Sequence, residues 1–441
     1  MSLQRLMSAA LAALLSAALP QAAAADSLDQ QIDQLADKVE PHVLQWRRHI
    51  HQNPELSNRE VETAKYVAKQ LRNFGVDDVQ TGVAKTGVIA VVRGGRPGPV
   101  IALRADMDAL PVTEEVDLPF KSTAKATYDG KPVGVMHACG HDAHTSMLLG
   151  VAEVVARLKD QWPGTVKFIF QPAEESPPVG EEGGAQLMIK EGVLLKDPRP
   201  EVIFGQHVIS SWAAGEVAYR SGALMASADD VEIVVTGKGS HGAFPWNGID
   251  PIVVASQIVL GLQTIASRQM DISKAPVIVT IGKIEGGTRD NIIPDSVTMK
   301  GTLRALDPGM RKQLQERVKR TAEDIAHSAG ATAKVAFGQH SAYPVTANDA
   351  KLVQRMLPTL QRVAGDGKLL EVSPMLGAED FSFFAEQVPG FYIFLGSRPP
   401  AEPAEGFPAN HSPRFHIDES VLKLGVKTLA HLAADYAQNA Q

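Results

Sequence analysis

Five short runs in the chain, 88–92, 100–103, 166–170, 202–205 and 391–395, are nearly continuous in apolar residues. A strand with one face in water alternates apolar and polar residues. A run without alternation is buried on both faces, the usual state of parallel strands lying between helices. Helical periodicity occupies 28–50, 59–74 (with Gly75 following as a C-cap) and 145–159. Strands alternating with helices predict an α/β domain, layered around a mostly parallel sheet. The middle of the chain reads differently. Strand patterns at 231–236, 277–284, 296–303 and 332–337, with helical patterns at 250–268 and 310–328, give the order βαββαβ, a ferredoxin-like unit. Residues 225–340 therefore read as an insertion, with 26–224 and 341–441 as the larger host domain.

Composition narrows the function classes. At 441 residues the chain is long enough for two domains, and 44% hydrophobic with 21% charged residues is a globular balance. The net charge is −7 and no dense Lys/Arg run occurs, which disfavours a nucleic-acid groove. Cys139 is the only cysteine, so intrachain disulfides and zinc modules with two or more cysteines are excluded. Residues 1–25 begin with a basic residue (Arg5). An apolar stretch over 7–19, Pro20 and the alanines Ala22, Ala23, Ala24 and Ala25 complete the segment. The stretch is shorter than the ~20 residues that span a bilayer. It predicts a cleaved export signal and a periplasmic or secreted protein with no membrane segment after cleavage.

Chemistry-bearing residues follow the buried runs at their C-terminal ends. Arg104, Asp106 and Asp108 follow the run at 100–103. Gln171, Glu174 and Glu175 follow 166–170, and Gln206 and His207 follow 202–205. Open α/β sheets form their ligand crevice outside those ends. A further cluster places His137, Cys139, His141, Asp142 and His144 within eight residues, and Cys and His are natural ligands of borderline-soft divalent metals. Cys139 and His141 are two apart and do not share a helix face. Ligation is expected from an extended turn allowed by Gly140, with a helix starting at Thr145. Adjacent Glu174 and Glu175 point different ways, so one can bind metal while the other stays free as a general base toward an activated water. His411, between Asn410 and Ser412-Pro413, sits in a turn sequence that suits a ligand presented by a loop. The G-x-G-x-x-G match over 237–242 lacks a following helix and a downstream acid, so it is not a dinucleotide site. Asn291 and Arg304 are polar groups at strand ends. Arg304 could clamp a carboxylate, though on residue type alone a surface salt bridge is its plainer role. Serine-hydrolase elbows, P-loops and H-E-x-x-H helices do not occur.

At these residues the sequence resembles the M20 metallopeptidases, most closely their amidohydrolase subgroup of hippurate, N-acyl-amino-acid and auxin-conjugate hydrolases. The supporting segments are RADMDALP from Arg104, MHACGHDAHT from Met136, QPAEE from Gln171, GQH from Gly205 and GKGSHGAFP from Gly237. DNIIPD from Asp290, GTLR from Gly301, GAEDF from Gly377 and NHSP from Asn410 complete the series. The resemblance implies two divalent metals (Mn or Zn, with Co or Ni as alternatives) held by Cys139, His141, Glu175, His207 and His411. It implies Glu174 as general base and Asp108 as the support of a ligand. The insertion resembles a lid and homodimer surface. There His241 is similar to the residue that polarises the scissile carbonyl, and Asn291 and Arg304 to the groups that hold the substrate carboxylate. Many members carry H-x-D where this chain has Asp106-Met107-Asp108, so their ligand geometry is not carried over and Asp106 receives no role. The expected activity is hydrolysis of the amide bond of an N-acyl-amino acid. The alternatives are a metallo-dipeptidase or carboxypeptidase acting on short peptides, and a non-catalytic acyl-amino-acid binding protein.

Overall fold

The computed structural model describes residues 26–438 apart from Asp77, with backbone alone at His340 and Ser341. The expected export signal at 1–25 lies outside the described residues. Among the described residues, no helix is long and apolar enough to cross a membrane.

An eight-stranded sheet forms the centre of the larger unit. In chain order its first strands are β1 (Asp78–Val83), β2 (Gly87–Arg93), β3 (Arg96–Asp106), β4 (Pro163–Gln171), β5 (Val202–Ala213) and β6 (Val217–Tyr219). Four strands of a second sheet follow, β7 (Ser227–Thr236), β8 (Val277–Gly286), β9 (Ser296–Ala305) and β10 (Thr332–Tyr343). The chain then returns to the first sheet with β11 (Leu369–Glu371) and β12 (Gly390–Arg398). The first sheet runs β1-β2-β4-β3-β5-β12-β6-β11, and β4, β3, β5 and β12 are mutually parallel. The larger unit is thus mixed α/β with a mostly parallel centre.

Burial explains the unbroken apolar runs. Ile101, Leu103 and Ala105 of β3 enter one core, whereas Ala102 enters the core on the other face. Phe204 and Ile203 of β5 divide the same way, as do Ile393 and Phe394 of β12. The first core lies under α1 (Leu28–Gln52), α3 (His141–Arg157) and α6 (Val421–Gln438), with α2 (Val61–Asn73) beside them. α1 starts at a capping box between Ser27 and Gln30, and its buried stripe is Ile32, Ala36, Val39, Val43, Trp46 and Ile50. One expectation fails here. β2 carries the run at 88–92 yet is antiparallel to both neighbours. A continuous apolar run reports burial on two faces, and a strand covered by helices shows it whichever way it points.

The second sheet has the order β8-β9-β7-β10 and is antiparallel throughout. With α4 (Pro251–Thr264) and α5 (Pro308–Ser328) it makes the βαββαβ order and closes its own core around Ile233, Ile258, Met299, Leu314 and Val318. Its last strand runs to Tyr343, beyond the boundary expected at 340.

Candidate metal centre

The C-terminal ends of β3 and β4, the middle of β5 and the start of α3 meet at one place, and the loop carrying His411 closes over it. Cys139 Sγ lies 3.2 Å from His207 Nε2 and 3.2 Å from His411 Nε2. His411 Nε2 is 3.0 Å from Glu175 Oε1. Two triads of donor atoms, Cys139–His141–His207 and Cys139–Glu175–His411, each fall within 4.8 Å, and the sulfur belongs to both. All five ligands expected from the resemblance are therefore brought together.

Two sequence expectations about local structure are corrected here. α3 begins at His141, not Thr145, so His141 stands in its first turn. Gly140 caps it with φ +98°, a left-handed conformation that glycine adopts without steric cost. A Cβ at this position would meet Val208 Cγ2 at 2.3 Å. The Gly140 carbonyl takes the N–H groups of Ala143 and His144, so the helix starts without a side-chain cap for a sequence pattern to reveal. Likewise His207 does not follow a strand. β5 continues through it to Ala213, with His207 paired to Phe394 of β12. His207 stays in the strand with both ring nitrogens partnered, and Gln206 with its Nε2 donating to the Gly425 carbonyl at 3.2 Å.

The donor set fits divalent cations. His141 Nδ1 is engaged by the Asp108 carbonyl at 2.8 Å and by Asp108 Oδ1 at 3.2 Å. Its Nε2 is buried without a hydrogen-bond partner and sits 3.8 Å from Glu174 Oε2. An imidazole with one nitrogen oriented by a carboxylate and the other free is the arrangement of a metal-ligating histidine. His207 is oriented in the same way, with Nδ1 2.7 Å from the Val208 carbonyl and Nε2 turned to Cys139. His144 also borders the cluster, but both its nitrogens are committed. Nδ1 is 2.7 Å from Asp106 Oδ1, and Nε2 accepts the Val208 N–H at 2.8 Å. Thiolate, imidazole and carboxylate together suit Zn, Mn or Co.

Electrostatics express the same crowding. Burial pushes the Cys139 thiol well above its ordinary value, and the charges of Glu175, Glu174 and Asp106 add to it. Burial likewise raises Glu174 well above the carboxylate range, helped by Glu379 and Glu175. At His141 burial works against protonation, but Asp106 and Asp108 prevail and hold it at about 10. A bound cation would reverse the sense of these shifts, stabilising thiolate and carboxylate together. The cluster opens toward solvent at His411, whose side chain is 54% exposed, whereas His141 is fully buried.

Asp108 does more than support one ligand. Oδ1 accepts the Glu174 N–H at 3.0 Å, and Oδ2 accepts the Glu175 N–H at 3.0 Å and the Ser57 hydroxyl at 2.7 Å. One buried carboxylate thus orders His141 and the backbone of both glutamates. Beneath it lies a network absent from the sequence reading. Arg104 is fully buried and bonds Asp106 Oδ2 at 2.7 Å, Asp380 Oδ1 at 2.8 Å and Gln171 Oε1 at 2.9 Å, with Glu379 Oε1 at 2.9 Å. Asp106, left without a role on sequence grounds, bridges this arginine to His144. The charged pair Glu379-Asp380 inside an otherwise apolar stretch, and the lone Arg104 at a buried strand end, were the available signals.

The remaining expected residues belong to the second sheet unit. His241 pairs with Ile292 in a two-residue ladder, and the Asn291 carbonyl accepts the Gly242 N–H at 2.8 Å, which sets His241 and Asn291 side by side. Arg304 lies in β9 between Ala228 and Ile278, and burial lowers its pKa. Among the described residues, no hydrogen bond or ion pair joins these three to the metal cluster.

A sequence profile described as peptidase family M20/M25/M40 matches residues 102–435. The chain is 43% identical to thermostable carboxypeptidase 2 of Saccharolobus solfataricus, over 91% of this chain and 96% of that protein. It is 40% identical to IAA-amino acid hydrolase ILR1-like 2 of Arabidopsis thaliana, over 90% and 86% of the respective chains. Among solved structures it resembles the YXEP protein of Bacillus subtilis, described as a dinuclear metal binding peptidase. The TM-score is 0.75 and the identity 34%, covering 91% of this chain and 99% of that one.

Proposed function

The chain belongs to peptidase family M20/M25/M40, and from that premise we propose that it hydrolyses the amide bond of N-acyl-amino acids at a two-metal centre. At the family level it is a metal-dependent hydrolase of amide bonds. The finer reading is carried by one observation. Glu174, a buried carboxyl group, stands 3.8 Å from the free nitrogen of His141 and falls with His141 and Glu175 in a donor triad within 4.8 Å, so it borders the five expected ligands and faces the space between them.

In this reading Cys139, His141, Glu175, His207 and His411 hold two divalent cations. Bound there, the cations supply Lewis acidity to the scissile carbonyl and acidify the attacking water. Glu174 removes the proton from that water and returns it to the leaving amine. The Asp380 N–H, 3.4 Å from Glu174 Oε1, and Asp108 keep the carboxylate aimed. His241 stabilises the developing oxyanion, an interaction of a kind worth ~3–4 kcal/mol. Asn291 and Arg304 receive the carboxylate of the amino-acid half, bidentate at the guanidinium. These three reach the cluster by closure of the second sheet unit as a lid, which also excludes water. That unit further offers a homodimer surface. β8 is an edge strand of its sheet, and Ile252, Val253 and Leu260 of α4 and Ile284 of β8 are exposed beside it. Residues 1–25 support export to the periplasm or beyond.

The carboxypeptidase relative at 43% identity favours a second reading, cleavage of a C-terminal residue from a short peptide. Both substrates present an amide beside a carboxylate, so rates decide. Purified protein loaded with Mn or Zn is offered hippurate, acetyl-amino acids and dipeptides. Hydrolysis of the acyl-amino acids ahead of the dipeptides supports the proposal, and the reverse order supports the peptidase. Glu174→Gln should keep wild-type metal content and lose most turnover. Metal binding without hydrolysis of any member would leave a binding protein.

A further inference from the structure

Glu174 and Glu175 occupy a turn whose two flanking residues both have left-handed backbones, Ala173 at φ +53° and Ser176 at φ +82°. Non-glycine residues rarely adopt that region and persist there where their surroundings hold them. Part of the hold comes from the larger unit. Glu60 Oε1 accepts the Ala173 N–H at 2.8 Å, and Asp108 takes the N–H groups of both glutamates. The carbonyl side of the turn is held from elsewhere. Tyr343, the last residue of β10, donates its phenol O–H to the Glu174 carbonyl at 2.6 Å and lies 2.9 Å from Ser176 Oγ. Its ring stands edge-on to Phe383, 6.1 Å between centroids.

We propose that Tyr343 is a positioning residue that aims Glu174 from the second sheet unit, so that the geometry of the base depends on where that unit sits. The proposal rests on the reading of Glu174 as general base. The phenol touches neither a ligand atom nor the Glu174 carboxylate. It fixes the peptide unit that joins Glu174 to Glu175, and with it the direction in which the base leaves the backbone. Tyr343 is also where the strand leaves the second sheet for the larger unit. A displacement of that unit therefore moves the hydroxyl against the turn.

Tyr343→Phe removes the hydroxyl and keeps the ring, so packing on Phe383 survives. A loosely held base costs rate and not substrate binding, since misplacement by about 1 Å is worth up to ~100-fold. The expected result is a kcat lowered by about tenfold or more, with KM within about threefold of wild type and metal content unchanged. Ser176→Ala tests the same brace without touching the ring and should give a smaller loss of kcat. The double variant should fall short of the product of the two effects, because both hydroxyls hold one turn. A Tyr343→Phe enzyme with wild-type kcat overturns the proposal. So does a loss confined to KM or to bound metal, or a double variant whose losses simply multiply. Glu174→Gln run beside it separates the two claims. Full activity in that variant refutes the general base and the proposal together, whereas an inactive Glu174→Gln with a fully active Tyr343→Phe refutes the proposal alone.

Discussion

Replacing Asp108 by asparagine perturbs the point where the base, the metal ligands and the backbone are joined. Each carboxylate oxygen accepts from two donors. Oδ1 takes His141 Nδ1 and the Glu174 N–H, and Oδ2 takes the Ser57 hydroxyl and the Glu175 N–H. Asparagine puts an NH₂ group in place of one oxygen. On the Oδ2 side the Ser57 hydroxyl can rotate to accept, but the Glu175 N–H then faces a donor and is left unsatisfied in a buried turn, at about 1–3 kcal/mol. Loss of charge assistance in the remaining bonds adds about 1 kcal/mol. The turn carrying Glu174 and Glu175 is thus weakened by about 2–4 kcal/mol. To the extent that the loss is felt in the transition state, turnover falls by roughly 30- to 1,000-fold, at 1.4 kcal/mol per factor of ten. The assay is kcat and KM on an N-acyl-amino acid with metal content measured on the same samples, alongside urea unfolding. A variant within twofold of wild type in kcat, with an unchanged unfolding midpoint, would refute the role given to Asp108.

Three further outcomes follow from the buried network, the helix start and the surface charges. Gly140→Ala forces a Cβ against Val208 in a left-handed backbone, and should cost about 2–4 kcal/mol in denaturant unfolding; an unchanged midpoint would mean that Gly140 is not held at φ +98°. Arg104→Met leaves Asp106 and Asp380 buried without their cation and should destabilise by about 3–5 kcal/mol by the same method, a variant as stable as wild type being the contrary result. Burial favours the neutral form of Glu419, but Arg48 and Arg47 outweigh it and hold the carboxyl below its ordinary 4.5. Its contribution to stability is present above that value and is lost as pH falls through the lower folded pKa. The stability gap between wild type and Glu419→Gln should therefore be open at pH 7 and close in acid, and a gap independent of pH would contradict the pairing.

Much of the architecture is legible in the sequence because two-sided burial writes itself into composition. The runs at 101–103, 203–204 and 391–395 feed alternate residues to two cores, so no polar residue interrupts them. Strand direction is not written there, as β2 shows, since both orientations are buried alike. β1, largely exposed and polar, carries no such run and escaped notice. At the metal centre the ligand types and their places near strand ends are readable, because soft and hard donors rarely crowd one sheet edge without cause. What brings them together is not. Tyr343 is separated from Glu174 by the whole second sheet unit, and Asp380 from Arg104 by most of the chain; these contacts exist only after folding. Gly140 starts a helix by backbone conformation alone, which is why α3 was expected four residues late at Thr145.

The central claim is that Cys139, His141, Glu175, His207 and His411 cage two divalent cations beside an unligated Glu174. Anomalous diffraction from crystals grown with Zn or Mn tests it most directly. Two peaks should appear among these five side chains, both within bonding distance of donor atoms and neither on the Glu174 carboxylate. A structure with cations bound elsewhere, with Glu174 serving as a ligand, or with no peak near Cys139 in metal-saturated protein would contradict it.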